Sequence, residues 1–394
     1  MTAVKILASM DSRAFFGAER ANLDILWRMR ECGAEVFALI RHEDWPGNLH
    51  MRAELEARGI GWIKAPFPEY PSSRYRRFWP KVVLQFPFRY LWLNAIAIRT
   101  IRKKGITNLH LGAPFQAFSF GLTLRWTQVP LTMFCVEKAG GHNWFFHRVW
   151  LWLTHRVDLF VCESRYICDA LVAIGADQTR IMMIRTSPPR RLKVPQFVQD
   201  RFNEAPDRVI FAFVGQFSSH KGIAVLLDAF ALVSQRCPGA RLMVAGPVDN
   251  SYARSLVDAW SGYGDGRLIW FCGALENIPG FLAEADVHVA PTIGAEPYGL
   301  VVVEAKRAAR PSILFNDGGM VELIENGQDG LVAKEKTAAA LAREMMIYAQ
   351  NRDRARADGQ RARASLSERL DIDQQNQKWL DAYAEAQCNR RSHR

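Results

Sequence analysis

Pro291-Thr-Ile-Gly-Ala-Glu296-Pro-Tyr298-Gly299-Leu300-Val301-Val-Val-Glu304-Ala is the stretch on which the reading of this chain turns. It follows Val287 to Ala290, an apolar run short enough for a buried strand, and runs through Gly299 into Leu300 to Ala309, where apolar residues recur at helical spacing. A strand that leaves through a glycine into a helix exposes the first amides of that helix. Such amides bind anions, which makes Gly299, Leu300 and Val301 candidates for a phosphate. Carboxylates repel phosphate, so Glu296 before the turn and Glu304 inside the helix suit sugar hydroxyls instead. On these residues alone, a helix cap at Glu296 and a solvated Glu304 explain the same spacing.

Upstream, the alternation continues: Val209 to Val214 reads as strand, Ile223 to Val233 as helix, Leu242 to Ala245 as strand, Tyr252 to Trp260 as helix and Leu268 to Phe271 as strand. Downstream come Ser312 to Phe315 as strand and Met320 to Ile324 as helix. The first half has its own series. Val4 to Ala8 reads as a strand, Ala18, Ala21, Ile25, Met29 and Cys32 mark a helix that Gly33 stops, and Val36 to Ile40 is the next strand. Leu109 to Leu111, Leu131 to Val136 and Leu159 to Val161 repeat the strand signal. Between the halves, Thr186-Ser-Pro-Pro-Arg-Arg-Leu-Lys193 breaks all periodicity. The pattern predicts an α/β chain of two parallel, helix-covered sheets, with domains at 1–190 and 191–371. Ile372 to Gln387 reads as a polar amphipathic helix in a closing segment, 372–394.

A second loop has the same build. Phe213-Val-Gly215-Gln216-Phe-Ser-Ser-His220-Lys221-Gly222 takes a strand through a glycine-bounded turn to a helix, and the Lys221 ammonium there is placed to meet phosphate oxygens. The spacing is not that of a P-loop, and a surface lysine beside a helix start is the plainer explanation.

Taken in order, Gly215 with Lys221-Gly222, Val244-Ala-Gly246-Pro, Phe271-Cys-Gly273, Ala285-Asp286-Val-His-Val-Ala-Pro291, Glu296-x7-Glu304, Asp317-Gly-Gly-Met-Val-Glu322 and Asn326-Gly327-x-x-Gly330-Leu-Val resemble the C-terminal domain of retaining, GT-B-fold glycosyltransferases of family 4. The resemblance covers roughly Val209 to Val332. The N-terminal half is similar more loosely, through Lys5-Ile-Leu, Gly17-Ala18-Glu19, Gly33-Ala-Glu-Val36 and Asp158-x4-Glu163-Ser164. It implies two Rossmann-like domains facing across a cleft that holds a nucleotide-diphospho-sugar. Carried over, Glu304 binds ribose hydroxyls and Glu296 the donor sugar, while Lys221 and the amides of Gly299, Leu300 and Val301 neutralise the diphosphate. Phe271, Gly273 and Leu275 line the base, and Gly17, Gly215 and Tyr298 belong to the donor loops. No cofactor and no metal are expected. Asp371-Ile-Asp373 lies beyond the last strand and reads as a helix start, not a metal site.

Three positions depart from the family's pattern, the first being the paired glycine of the first loop, which is Phe16-Gly17 here, so that only Gly17 is carried over. Gln216 stands where an arginine is usual, which removes one cation from the diphosphate unless Arg13 or another base replaces it. Where a histidine usually follows the Leu131 to Val136 strand, this chain has Val136-Glu137-Lys138 and then Gly140-Gly141-His142. Glu137 and His142 are therefore the catalytic candidates beside Lys221 and Glu296, each equally readable as a loop residue.

The chain has 394 residues, 49% of them hydrophobic and 23% charged, enough for two real cores and unlike a disordered or fibrous composition. Seven cysteines without a Cys-x-x-Cys argue for a reducing compartment and no structural zinc. Met1 to Met10 reads as neither signal nor transit peptide. No apolar run is long enough to cross a bilayer, since Val82 to Ile98 contains Gln85, Pro87, Arg89 and Asn94.

Nearly all of the net charge of +11 sits between Tyr70 and Val136, where ten basic residues meet no acidic one. There Arg74, Arg76, Arg77, Trp79 and Lys81 begin a series of bases interleaved with aromatics that suits an anionic membrane surface. Nucleic acid uses similar chemistry, but the resemblance favours a membrane and no nucleic acid is expected. Together these expectations describe a metal-independent retaining hexosyltransferase, cytoplasmic and peripheral to the inner membrane face, acting on a lipid-linked acceptor in polysaccharide or glycolipid assembly. The alternatives are a soluble acceptor, another nucleotide-sugar reaction such as epimerisation, or a non-catalytic basic protein binding membrane or nucleic acid.

Overall fold

The computed structural model describes residues 4–11, 17–69, 79–139, 144–186, 202, 208–264, 266–275 and 277–392. They form two compact units, one of residues up to Thr186 together with Ile372 onward, the other running from Ser187 to Asp371.

The first unit is built on seven parallel strands: β1 (Lys5–Met10), β2 (Glu35–Arg41), β3 (Gly61–Ala65), β4 (Asn108–Leu111), β5 (Leu131–Cys135), β6 (Leu159–Cys162) and β7 (Ile181–Met183), in the order β3-β2-β1-β4-β5-β6-β7. Alternation along each strand sends one set of side chains to each face. Leu7, Leu39, Leu109, Leu131 and Phe160 meet α3 (Trp79–Lys104), α4 (Pro114–Ser119), α5 (Gly121–Thr127), α6 (Trp144–Thr154) and α7 (Arg165–Ala173). Ile6, Ala38, Phe134 and Val161 meet α1 (Gly17–Glu31), α2 (Pro46–Ala57) and α14, the chain's last helix (Ile372–Ser392).

Polar bonds fix α14 to that face. Asn108 Nδ2 donates to the Tyr383 carbonyl at 2.9 Å, and Gln387 Nε2 donates to Asn108 Oδ1 at 2.8 Å. His110, wholly buried, is held between α1 and α14: its Nε2 meets Asn22 Oδ1 and the Tyr383 hydroxyl meets its Nδ1, each at 2.8 Å. A neutral imidazole satisfies both bonds, with Nε2–H donating and Nδ1 accepting. Burial holds its pKa down to about 3.

The second unit has six parallel strands: β8 (Val209–Val214), β9 (Ala240–Ala245), β10 (Ile269–Gly273), β11 (Val287–Ala290), β12 (Ser312–Phe315) and β13 (Gly330–Ala333), ordered β10-β9-β8-β11-β12-β13. One face packs on α8 (Ile223–Arg236), α9 (Ser251–Trp260), α12 (Ala338–Ala349) and α13 (Arg352–Arg369), and the other on α10 (Ile278–Ala283) and α11 (Leu300–Arg307). In both sheets the chain adds strands on one side of the first strand and then crosses to the other, leaving a reversal beside β1 and β8. Crevices at such reversals, beyond the carboxyl ends of the strands, are where this architecture binds ligands.

The Met320 to Ile324 helix expected from the sequence is a 3₁₀ turn, Met320–Leu323. Gly318, at φ +72°, blocks a longer helix behind it, and the bonds found are of the three-residue kind, Glu322 N–H to Gly319 and Ile324 N–H to Val321.

Candidate functional site

At the reversal in the second sheet, β8 leaves into residues 215–222 and β11 into residues 291–299. The two loops are locked together. Ile293 N–H donates to the His220 carbonyl at 2.9 Å, and Gly222 lies so close to Pro291 that a Cβ would come within 1.9 Å of its carbonyl oxygen. Gly222 is also left-handed at φ +70°, so both its shape and its surroundings require glycine. From the other side, Lys336 donates to the Ile293 carbonyl at 2.5 Å and pairs with Asp317, while Gly319 N–H donates to the Glu296 carbonyl at 2.7 Å. The main chain around Glu296 is thus held from two directions, and its side chain points at Lys221. Nζ and Oε2 are 2.6 Å apart, with about a quarter of each side chain exposed, 27% and 22%.

Two helices start at this place without a side-chain cap. α8 follows left-handed Gly222, and α11 follows left-handed Gly299. Uncapped first-turn amides carry the positive end of the helix dipole, so with Lys221 they form a partly buried cationic corner that Glu296 neutralises. Glu304 lies one turn into α11 on the side of Leu300, half-buried. The glycines just after β8 and β9 and at the end of β10 continue the strand pairing: Gly215 N–H donates to the Ala245 carbonyl, Gly246 N–H to the Gly273 carbonyl. Gly273 itself is left-handed with open space where a Cβ would stand.

Of the residues singled out in the sequence, Lys221 and Glu296 are in direct contact, Gly299, Leu300 and Val301 take the Glu296 loop into α11, and Gly215 opens the loop that carries Lys221. Gln216 is exposed beside them. Phe271 is half-buried and packs edge-on against Phe217, their ring centres 6.2 Å apart, and Leu275 packs on the α10 side of the sheet. Tyr298 is 3% exposed and belongs to the core with Val302, Leu314 and Met320, so its ring is a packing element.

In the first unit, Gly17 is the exposed first residue of α1, and Glu137 is exposed in the turn after β5. Arg13, Arg74, Arg76, Arg77 and His142 lie outside the described residues, as do the side chains of Trp79 and Lys81, whose backbone opens α3. Among the described residues no three His, Cys, Asp or Glu side chains gather as metal ligands.

Several charged residues that the sequence left without a role are structural. Lys306 is buried with Asp329 at 2.5 Å, and Ser365 bonds to both. His288 is wholly buried beside Ser312 at 2.9 Å, and burial holds its pKa down to about 3. Only the position of Lys306 at helical spacing from Val302 and Val303 hints at its burial.

Comparison with known proteins agrees with the fold. The model of the family "Glycosyl transferases group 1" matches residues 208–351. The chain is 28% identical over 220 residues to a Bacillus subtilis (strain 168) protein bearing the name glycosyltransferase EpsD, which is 53% of this chain and 56% of that one. It is 29% identical over 142 residues to the phosphatidyl-myo-inositol mannosyltransferase of Mycobacterium leprae (strain TN), 35% and 37% of the two chains. The chain therefore spans about half, or less, of the length of these relatives. Among solved structures, Anabaena Alr3699/HepE in complex with UDP and glucose superposes with a TM-score of 0.78, covering 97% of this chain and 99% of that one at 18% identity.

Proposed function

From a glycosyl transferases group 1 domain at residues 208–351, on a chain with the two parallel-sheet, GT-B architecture, we propose a nucleotide-sugar-dependent glycosyltransferase. The observation that carries the proposal is the Lys221–Glu296 pair set between two uncapped helix starts at the strand-order reversal. A cation and two amide termini suit a diphosphate, and a carboxylate beside them suits sugar hydroxyls.

In this reading the donor's diphosphate takes Lys221 and the amides after Gly299, and releases Glu296 to the sugar. Glu304 takes the ribose hydroxyls. The acceptor oxygen attacks the anomeric carbon on the face from which the diphosphate leaves. The carbon–oxygen bond to phosphate breaks, its electron pair goes to the leaving phosphate oxygen, and that oxygen accepts the acceptor's proton. The configuration is retained. The protein's contribution is electrostatic, through groups fixed before the reaction. Negative charge on the departing diphosphate meets Lys221 and the helix dipoles, so no metal is required.

The acceptor in this proposal is lipid-linked and met at the cytoplasmic membrane face. The acid-free stretch from Tyr70 to Val136 supports it, and so does the likeness to a mannosyltransferase whose name carries phosphatidyl-myo-inositol.

The test is a thermal-shift panel of UDP-, GDP- and ADP-sugars on the purified protein, starting with UDP-glucose, followed by product analysis with and without added lipid extract. A ligand at 100 times its Kd adds about 2.7 kcal/mol to the stability of the state that binds it. No shift with any nucleotide sugar, and no donor hydrolysis or transfer, would overturn the proposal. Transfer that needs no lipid would move the acceptor to a soluble sugar.

A further inference from the structure

α3 carries two opposite faces. Leu93, Ala97 and Ile101 enter the core, whereas Leu84, Phe88, Leu91 and Trp92 are 71%, 71%, 56% and 64% exposed. At about 100° per residue, Leu84, Phe88, Leu91, Ala95 and Arg102 fall within an arc of roughly 60°, so the exposed apolar stripe runs straight into the basic last turns. Beside that end stands Trp126 of α5, 64% exposed. α5 is fixed to α3 because Asn94 Oδ1 accepts from both the amide and the hydroxyl of Thr123 at 2.7 Å. Ala95, Ile98, Arg99, Arg102, Lys103 and Trp126 line a shallow hollow of about 640 Å³.

An apolar stripe of this size on one helix marks an interaction site. A second copy of the chain is a poor occupant, since Tyr70 to Val136 contains no acidic residue to face Arg99, Arg102 and Lys103. No described helix is long and apolar enough to cross a membrane. An apolar face continuing into bases, with tryptophans at its border, matches the interface of an anionic bilayer. We propose that α3 lies in the plane of an anionic membrane, with Leu84, Phe88, Leu91 and Trp92 in the acyl boundary and the hollow between Trp126 and the three bases seating a lipid phosphate.

The proposal rests on the lipid-linked acceptor read above and names the surface that meets the lipid, but its test is independent of donor chemistry. Full-length protein is titrated with vesicles of phosphatidylglycerol mixed with phosphatidylcholine, and with phosphatidylcholine alone, at low and moderate salt. Wild type should bind the anionic vesicles, and brominated acyl chains should quench its tryptophan emission. The triple variant Leu84→Gln, Phe88→Gln, Leu91→Gln changes exposed side chains only and should lose at least about tenfold in partitioning at both salts, because apolar insertion is not screened. Arg99→Gln, Arg102→Gln, Lys103→Gln should lose roughly fivefold per base at low salt and less at moderate salt.

Donor hydrolysis should be unchanged in both. No binding of wild type to anionic vesicles, equal binding by the leucine–phenylalanine variant, or a wild-type dimer that this variant dissociates would each overturn the assignment. Vesicle binding without any donor turnover would instead sink the glycosyltransferase reading and leave the membrane surface standing.

Discussion

Glu296→Gln separates the two tasks assigned to the corner. The side chain meets Lys221 at 2.6 Å, with about a quarter of each partner exposed. A pair this open to water contributes about 0–1 kcal/mol, so freeing Lys221 raises its availability to a diphosphate by at most roughly fivefold. The backbone should not follow the side chain, because the Glu296 carbonyl is held by Gly319 N–H and the neighbouring Ile293 carbonyl by Lys336. Affinity for the free nucleoside diphosphate, measured by calorimetry, should therefore stay level or improve up to about fivefold. Donor turnover should move the other way. A charged hydrogen bond to a sugar hydroxyl is worth about 1.5–3 kcal/mol and a neutral one about 0.5–1.5, so the exchange costs roughly 1–2 kcal/mol, or about 5- to 30-fold in kcat/KM. Parallel losses in diphosphate affinity and turnover would show that Glu296 only scaffolds the loop. No change in either would remove it from the site.

Lys221→Ala should cost roughly 1.5–3 kcal/mol of transition-state stabilisation, about 10- to 150-fold in kcat/KM, and unchanged steady-state kinetics would refute the diphosphate role. Gln216→Arg should leave activity level or raise it in the same assay. Glu304→Ala should weaken free nucleoside diphosphate and donor together, since ribose is common to both, and calorimetry that finds only the donor weakened would reassign it. His110 and His288, one in each unit, have folded pKa values near 3 against an ordinary 6.5, so the unfolded chain takes the proton first as pH falls. Their contribution is complete above pH 6.5 and is lost below it at up to about 1.4 kcal/mol per pH unit each, or about 2 kcal/mol each between pH 7 and 5. Urea denaturation showing flat stability over that range would refute this.

The central strands and the helices following them were legible because burial on both faces makes short apolar runs and an amphipathic helix has a period. What escaped lies at the margins of that physics. β3 and β7 are the edges of the first sheet and β13 an edge of the second, each three to five residues long, and edge strands need fewer apolar residues to be stable. α13 reads Arg-Asp-Arg-Ala-Arg-Ala-Asp-Gly at its start and has no apolar stripe to detect. At the site, the glycines and the two glutamates were readable from their spacing and resemblance, but the direct pairing of Lys221 with Glu296 was not. It depends on Gly222 lying against Pro291, a contact between residues far apart in sequence.

Asp286 and Asp158, both in the motifs, show how resemblance and function part. Asp286 N–H donates to the Ile210 carbonyl, and its Oδ2 accepts from Ile210 N–H at 2.9 Å. Asp158 makes the same clasp with Leu131, its Oδ2 accepting at 2.7 Å. A helix arginine completes each: Arg352 Nε meets Asp286 Oδ1 at 2.9 Å, and Arg390 Nη1 lies 3.7 Å from Asp158 Oδ1. Both clasps stand at the amino ends of their strands, opposite the end where the loops of Lys221 and Glu296 emerge. A carboxylate that takes a strand's first free N–H, and is itself buried and paired, is satisfied within the framework and has nothing left to offer a ligand. The recurrence of Asp before a buried strand in both halves therefore reflects how each sheet is fastened at its closed end. The proposed donor site lies at the other end, where two helices start without a side-chain cap and Lys221 pairs with Glu296.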